Sequence, residues 1–172
     1  MKLVERFLHD SSDPTERWAP AVWTAPAFDW SDLRFGPICF GDPLERAEPL
    51  GRPDIFRRTL PGYCEMIYLR AGFQIDFDDG RFAYIAYFIA SDPQEENHPD
   101  MGYSTPVLDD ELTLTPDVLA DDIKQKLGPP SDEQIDIDET VLVYAGGGIV
   151  VEFEFDADGR LKRWNLYPQT ET

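Results

Sequence analysis

Histidine and cysteine are nearly missing from this chain, with two of each in 172 residues. His9 and His98 stand far apart, and no Cys/His spacing matches a zinc site. Cys39 and Cys64 fall in apolar, strand-like stretches and read as two buried, reduced thiols rather than a disulfide framework. No run of about 18 apolar residues occurs, so no transmembrane helix is expected. The start, MKLVERFLHD, is broken by Glu5 and His9 and lacks the uninterrupted apolar stretch of a signal peptide, so a cytoplasmic protein is expected. Nucleotide-binding, zinc-protease and esterase signatures are also missing: there is no G-x-x-x-x-G-K-[ST], no H-E-x-x-H and no G-x-S-x-G. No cofactor, no metal and no catalytic residue is expected on these grounds.

Positive charge is scarce as well. Fifteen Lys and Arg face 34 Asp and Glu, a net charge of −19. The imbalance is uneven: residues 1–90 carry a net −4 and residues 91–172 a net −15. Such a field repels nucleic acid and anionic membrane surfaces and attracts a basic protein surface or cations. The same charge also serves solubility.

What the chain does have is apolar and aromatic bulk. At 42% hydrophobic and 13% aromatic it is too rich for a disordered chain and long enough for one domain or two small subdomains sharing a core. Two stretches repeat each other. Leu50-Gly51-Arg52-Pro53 matches Leu127-Gly128-Pro129-Pro130, a helix-stop signal in both places. Each follows a small polar residue and proline that read as a helix start, Asp42-Pro43 and Thr115-Pro116. Downstream, YLRAGFQIDF (68–77) matches YAGGGIVVEF (144–153), and DDGRF (78–82) matches DADGRL (156–161). Asp-Gly between alternating runs predicts a hairpin in both copies.

These repeats predict an α+β fold of two tandem units, each a short helix packed on an antiparallel meander. The boundaries are an extended aromatic arm or N-terminal helix over 1–33, a first unit over 34–90, a joint over 91–110 and a second unit over 111–172. Helices are expected over 43–50 and 116–127, with Leu119, Ile123 and Leu127 covering the sheet. Strands are expected over 34–40, 63–69, 73–78 and 81–90, and again over 111–114, 140–145, 148–156 and 160–167. Ile149, Val151, Phe153 and Phe155 share one face; Val150, Glu152, Glu154 and Asp156 share the other. The run FAYIAYFIA (82–90) is apolar on both faces, Phe82, Tyr84, Ala86 and Phe88 against Ala83, Ile85, Tyr87 and Ile89. It is expected to lie under the arm, with a homodimer through 82–90 as the alternative. In the arm, Trp18, Trp23 and Trp30 are expected to lie across the first sheet.

Other candidate sites read as ordinary structure. Gly146-Gly147-Gly148 lies between two strands rather than before a helix, so it is no phosphate cradle. Asp156-Ala157-Asp158-Gly159 lacks the later positions of a calcium loop and reads as a turn. The pairs Asp76/Asp78 and Glu152/Glu154 alternate with apolar residues and read as a solvated outer face.

The order helix, Leu-Gly-X-Pro, antiparallel meander resembles the repeat of the beta-lactamase inhibitor protein and of the outer-membrane assembly lipoprotein BamE/SmpA. Thr115-Pro116-Asp117, Leu127-Gly128-Pro129-Pro130 and the aromatic, glycine-punctuated strands carry the resemblance. The chain departs from those families in having no expected signal peptide, no anchor cysteine near its start and no cysteine pair within each unit. The resemblance implies a compact binding module, not their particular activities.

The function expected is a non-catalytic, acidic protein-binding module of immunity or inhibitor type, with a basic protein as partner and with neither nucleic acid nor membrane. Its contact candidates are Asp109, Asp110, Glu111, Asp121, Asp122, Asp132, Glu133, Asp136, Asp138 and Glu139. The alternatives are a small hydrolase or isomerase with carboxylates at a pocket between the sheets, or a structural homo-oligomer.

Overall fold

The structure, a computed structural model, describes residues 13–91, 101–108 and 111–169. His9, His98, Asp109 and Asp110 lie outside the described residues.

Alternating apolar residues and tight turns build most of the molecule. Strands β1 (Phe28–Asp29), β2 (Arg34–Phe35) and β3 (Ile38–Cys39) make a small sheet, followed by a 3-10 helix, Leu44–Leu50. Then come β4 (Ile55–Leu60), β5 (Tyr63–Tyr68), β6 (Phe73–Asp78) and β7 (Arg81–Phe88). A short pair, β8 (Val107–Leu108) and β9 (Leu112–Thr113), leads to helix α1 (Ala120–Leu127). Strands β10 (Asp132–Ile135), β11 (Glu139–Gly146), β12 (Ile149–Asp156) and β13 (Leu161–Pro168) finish the chain. The β6–β7 turn has Asp79 at φ 47° and Gly80 at φ 71°, the doubly left-handed turn that suits the twist of a hairpin.

Strands β4–β7 and β10–β13 belong to one eight-stranded antiparallel sheet in the order β10-β11-β12-β13-β7-β6-β5-β4. The expectation of two tandem helix-on-sheet units is thus corrected to a small helical element packed on one large sheet. The halves meet edge to edge at β7 and β13, where a single sheet buries what neither four-stranded half could cover alone. In that ladder Ala86 pairs with Asn165, Tyr87 with Trp164 and Ile85 with Leu166. Exchanging Ile85 for Trp164, Ala86 for Asn165 and Tyr87 for Leu166 maps the ladder onto itself. Strand β7 is hydrogen-bonded on both sides, so it offers no backbone edge to a second copy.

The same local geometry recurs in both halves. The Tyr68 hydroxyl donates to the Gly51 carbonyl at 2.9 Å, and the Tyr144 hydroxyl donates to the Gly128 carbonyl at 3.0 Å. Gly51 and Gly128 take φ of 78° and 84° and end their helices. The β6–β7 ladder slips between Asp76 and Phe77, and the β12–β13 ladder between Glu154 and Phe155. The first slip puts Phe82 beside Phe77 but Tyr84 beside Asp76 and Ile85 beside Ile75. Phe82 therefore joins Ile85 and Tyr87 on the inner face, away from Tyr84, and the uninterrupted alternation expected over 82–90 fails at the bulge.

One face of the sheet carries the core. Met66, Tyr68, Phe73, Ile75, Phe77 and Tyr87 of the first half continue into Leu142, Phe153, Phe155, Trp164 and Leu166 of the second. The arm, the small sheet and the helices cover this face. The Tyr87 hydroxyl donates to the Pro26 carbonyl at 2.8 Å. The arm does more than cross the first half, because Trp30 packs on Trp164 of β13 with ring centroids 5.9 Å apart. Trp23 is exposed and lies under the Arg70 guanidinium at 5.3 Å.

The helices differ from the sequence expectation. Residues 44–50 form a 3-10 helix, since Pro49 removes a donor from so short a segment. Asp42 accepts from the Cys39 backbone at 2.9 Å instead of capping it. Helix α1 begins at Ala120 rather than at 116, with the Asp122 carboxylate accepting from the Leu119 N–H at 2.9 Å. Ile123 is buried, but Leu119 and Leu127 are exposed, so of the three residues expected to cover the sheet only Ile123 is sealed against it, with Ala120 packing beside it. Strands β4 and β10, absent from the sequence expectation, form the two edges of the sheet.

Candidate functional site

The described acidic residues among those singled out from the sequence gather around α1 and the β10–β11 hairpin, with many of their charges already partnered. Glu111 pairs with Lys126 of α1, and Glu133 with Lys124 at 2.7 Å. Glu139 pairs with the buried Lys162 at 2.6 Å. Asp132 accepts from the Glu133 backbone at 3.0 Å and from Gln134 at 3.0 Å. Asp136 accepts from the Ile137 backbone at 2.7 Å. Asp121 and Asp122 stand exposed in the first turn of α1, where negative charge suits the helix dipole.

Strand β10 is an outer edge of the sheet and is exposed along its whole length. Sequence reasoning missed that this hairpin also shows large apolar side chains to solvent. Ile135 is 75% exposed at the end of β10, and Ile137 is 86% exposed in the turn that follows. Both lie among Asp132, Glu133, Asp136 and Asp138. The isoleucines were legible in DEQIDIDE, but their exposure follows only from the strand lying at an edge. The opposite edge, β4, presents Arg57 and Arg58.

The outer face of the sheet holds a second cluster, where the sequence reading is corrected. Asp76 is 3% exposed, not solvated. Tyr63 donates to it at 2.6 Å and Gln74 at 2.8 Å. Burial pushes the Asp76 carboxyl up to about 6, against the pull of those two hydrogen bonds. Glu154, at the matching bulge, is also raised by burial, with Arg163 and a hydrogen bond from Asn165 opposing. Tyr84 donates to Asn165 at 2.8 Å, and Tyr167 donates to Glu152 at 2.6 Å. Tyrosines thus stand where solvent was expected. Beside this cluster runs a cleft of about 370 Å³ that includes Arg57, Glu65, Gln74, Tyr84 and Arg163 in its walls. A carboxyl near 6 suits proton transfer, yet both Asp76 oxygens already accept hydrogen bonds.

Among the described residues no group of three or more His, Cys, Asp or Glu side chains converges as a metal site. Cys39 and Cys64 are both free thiols, and burial pushes the Cys64 thiol up to about 11. No described helix is long and apolar enough to cross a membrane.

No protein-family model and no curated protein matches the chain. Two solved structures align with it. One is a DUF4309 family protein, YjgB, from Bacillus subtilis: 18% identity, TM-score 0.48, covering 73% of this chain and 76% of that one. The other is an extracellular protein containing a SCP domain from Bacillus anthracis: 11% identity, TM-score 0.47, covering 76% of this chain and 44% of that one. At these scores neither likeness says what this chain does. The cytoplasmic placement expected from the sequence is withdrawn; the second of these structures is described as extracellular, a property of that protein. Residues 1–12, on which that placement rested, lie outside the described residues, and free thiols alone do not fix a compartment.

Proposed function

We propose that this chain is a non-catalytic protein-binding module, built from two copies of one unit, that docks a basic, extended segment of another protein along its β10 edge. The single observation that carries the reading is the pair Ile135 and Ile137, exposed at an acidic sheet edge. An exposed edge strand offers backbone hydrogen bonds, and apolar side chains beside it give a partner strand something to bury. The surrounding carboxylates favour a partner rich in Lys or Arg and speed its approach. The recurring Tyr-to-Gly hydrogen bonds and the bulges at Asp76 and Glu154 support duplication. The helix-and-meander layout is of the kind the beta-lactamase inhibitor protein and BamE/SmpA repeat, and an immunity or inhibitor role is the sharper form of the proposal.

The test compares capture of protein partners by the wild type and by Ile135→Lys/Ile137→Lys. The expected result is a basic protein held at low salt, released at about 0.5 M salt, and absent from the variant. Identical partners for both proteins would overturn the reading. A mass that rises with concentration, without any other protein, would instead assign the edge to a second copy through Arg57 and Arg58 of β4.

A second reading, a small enzyme acting in the outer-face cleft, is favoured by the Asp76 carboxyl near 6. Its mark would be a hydrolytic or isomerising activity lost in Asp76→Asn while the fold persists.

A further inference from the structure

The two halves of the sheet are covered unequally, and the difference leaves a cleft. In the first half the Phe35 ring is fully buried against Phe73 and Tyr87, at centroid distances of 5.1 and 5.8 Å. Strand for strand, the positions of Phe73, Tyr87, Tyr68 and Leu50 correspond to Val151, Leu166, Tyr144 and Leu127. Val151, Tyr144 and Leu127 line a cleft of about 410 Å³, together with Trp30 and Leu33 of the arm. Leu50 is 2% exposed; Leu127 is 38% exposed. The cleft is within the size range of small-molecule sites.

We propose that this cleft binds a small, neutral aromatic molecule. The wedge that fills the corresponding place in the first half is an aromatic ring, so the second half has the walls for one. The mouth is stripped of side chains. The first ladder ends at Tyr68 and Phe73, whereas the second runs on past Tyr144 through Ala145 and Gly146, paired with Val150 and Ile149, so two small residues stand there. Gly147 has a left-handed φ of 62° that accounts for it. Gly146 has no such φ, and a Cβ added there meets nothing within 4 Å. Neither backbone conformation nor packing asks for glycine at 146; what it leaves is room. Leu33 holds a left-handed φ of 47°, a strained conformation for leucine, in the wall of the same cleft.

The Trp30 ring stands in the wall and packs on Trp164, while its Nε1 is buried away from the open space, so the guest meets the indole as an apolar surface. The lining is apolar and brings no cation to offset a carboxylate, and the −15 half repels anions, so the guest is neutral. This proposal rests on the strand correspondence and is independent of the β10 edge.

The test uses Prodan, a neutral naphthyl ketone whose emission moves to the blue in apolar surroundings. The full chain is titrated with it, alongside Ala145→Leu/Gly146→Arg, which fills the mouth with side chains, and Trp30→Phe, which trims one wall. Expected are a saturable 1:1 blue shift with the wild type, binding weaker by about tenfold or more with the double variant, and a smaller loss with Trp30→Phe. The Trp30 indole N–H resonance of the wild type should move on addition, a readout that does not depend on either variant folding. No saturable shift, equal binding by the double variant, or an unmoved indole resonance would overturn the proposal. So would a concentration-dependent dimer that the double variant abolishes, since a second copy would then be the occupant.

Discussion

Replacing Asp76 with asparagine should stabilise this protein, and by an amount that depends on pH. The carboxyl sits on β6 at 3% exposure, beneath Tyr63 and beside Gln74. Burial is the largest influence on it. Hydrogen bonds from Tyr63 and Gln74 favour the charged form, nearby Glu65 disfavours it, and Arg57 favours it; burial prevails, and the group reaches about 6 against 3.8 in water. The folded state therefore holds this proton more tightly than the unfolded chain. Between roughly pH 4 and 6 the native protein carries more protons, so its stability falls as pH rises through that window. Above 6 the penalty is complete: two pKa units and a fraction, at 1.36 kcal/mol each, or about 3 kcal/mol. Asparagine copies the neutral acid. Its amide oxygen accepts from Tyr63, and Gln74 turned about its last bond accepts from the amide N–H. Urea unfolding of Asp76→Asn and wild type at two pH values is the assay. The variant should lead by up to about 3 kcal/mol at pH 8 and about 1 kcal/mol at pH 4.5, with equal m-values. A variant that is weaker at both pH values, or a gap that does not change with pH, would refute the reasoning; the ionised carboxylate would then be a net source of stability.

The paired glycines and tyrosines give sharper contrasts. A Cβ at Gly51 would lie 2.3 Å from the Pro20 carbonyl oxygen, whereas at Gly128 nothing lies within 4 Å. Gly128→Ala should cost only its backbone conformation, φ 84° with ψ −167°, about 1–3 kcal/mol, and Gly51→Ala should lower the melting temperature markedly further. Tyr68→Phe leaves a buried Gly51 carbonyl without its donor and should cost about 1–3 kcal/mol in urea unfolding. Tyr144→Phe, at the half-buried Gly128, should cost less than about 1 kcal/mol because water can reach that carbonyl.

Several elements were legible before any coordinates. Strand β6 lies where the alternation of FQIDFD put it, and β12 buries Ile149, Val151, Phe153 and Phe155 as expected. Those segments alternate strongly and are bounded by Asp-Gly turns, both short-range signals. Edge strands carry no such signal. DEQI is exposed at every position and IFRRTL at most, so nothing in their own composition announces a strand; each forms because a neighbour offers an open row of backbone groups. Of the candidate contacts, Asp132, Glu133, Asp136 and Asp138 are brought to one edge hairpin, while Glu111, Glu133 and Glu139 are held in ion pairs that the charge count could not show.

By itself the sequence determined what nearest neighbours along the chain can settle: alternating faces, hairpin turns, helix stops at Gly51 and Gly128, and the crowding of negative charge into the second half. The tertiary structure alone decided the rest, because it depends on residues far apart in the chain. It joined β7 to β13, slid Phe82 to the inner face at a bulge, and set Tyr63 against Asp76 so that an acid on the outer face became buried. It also packed Phe35 into one half and left the other open at Leu127. A side chain's pattern tells which way it points. Whether water or another side chain waits there is fixed by strand order, which no local signal carries.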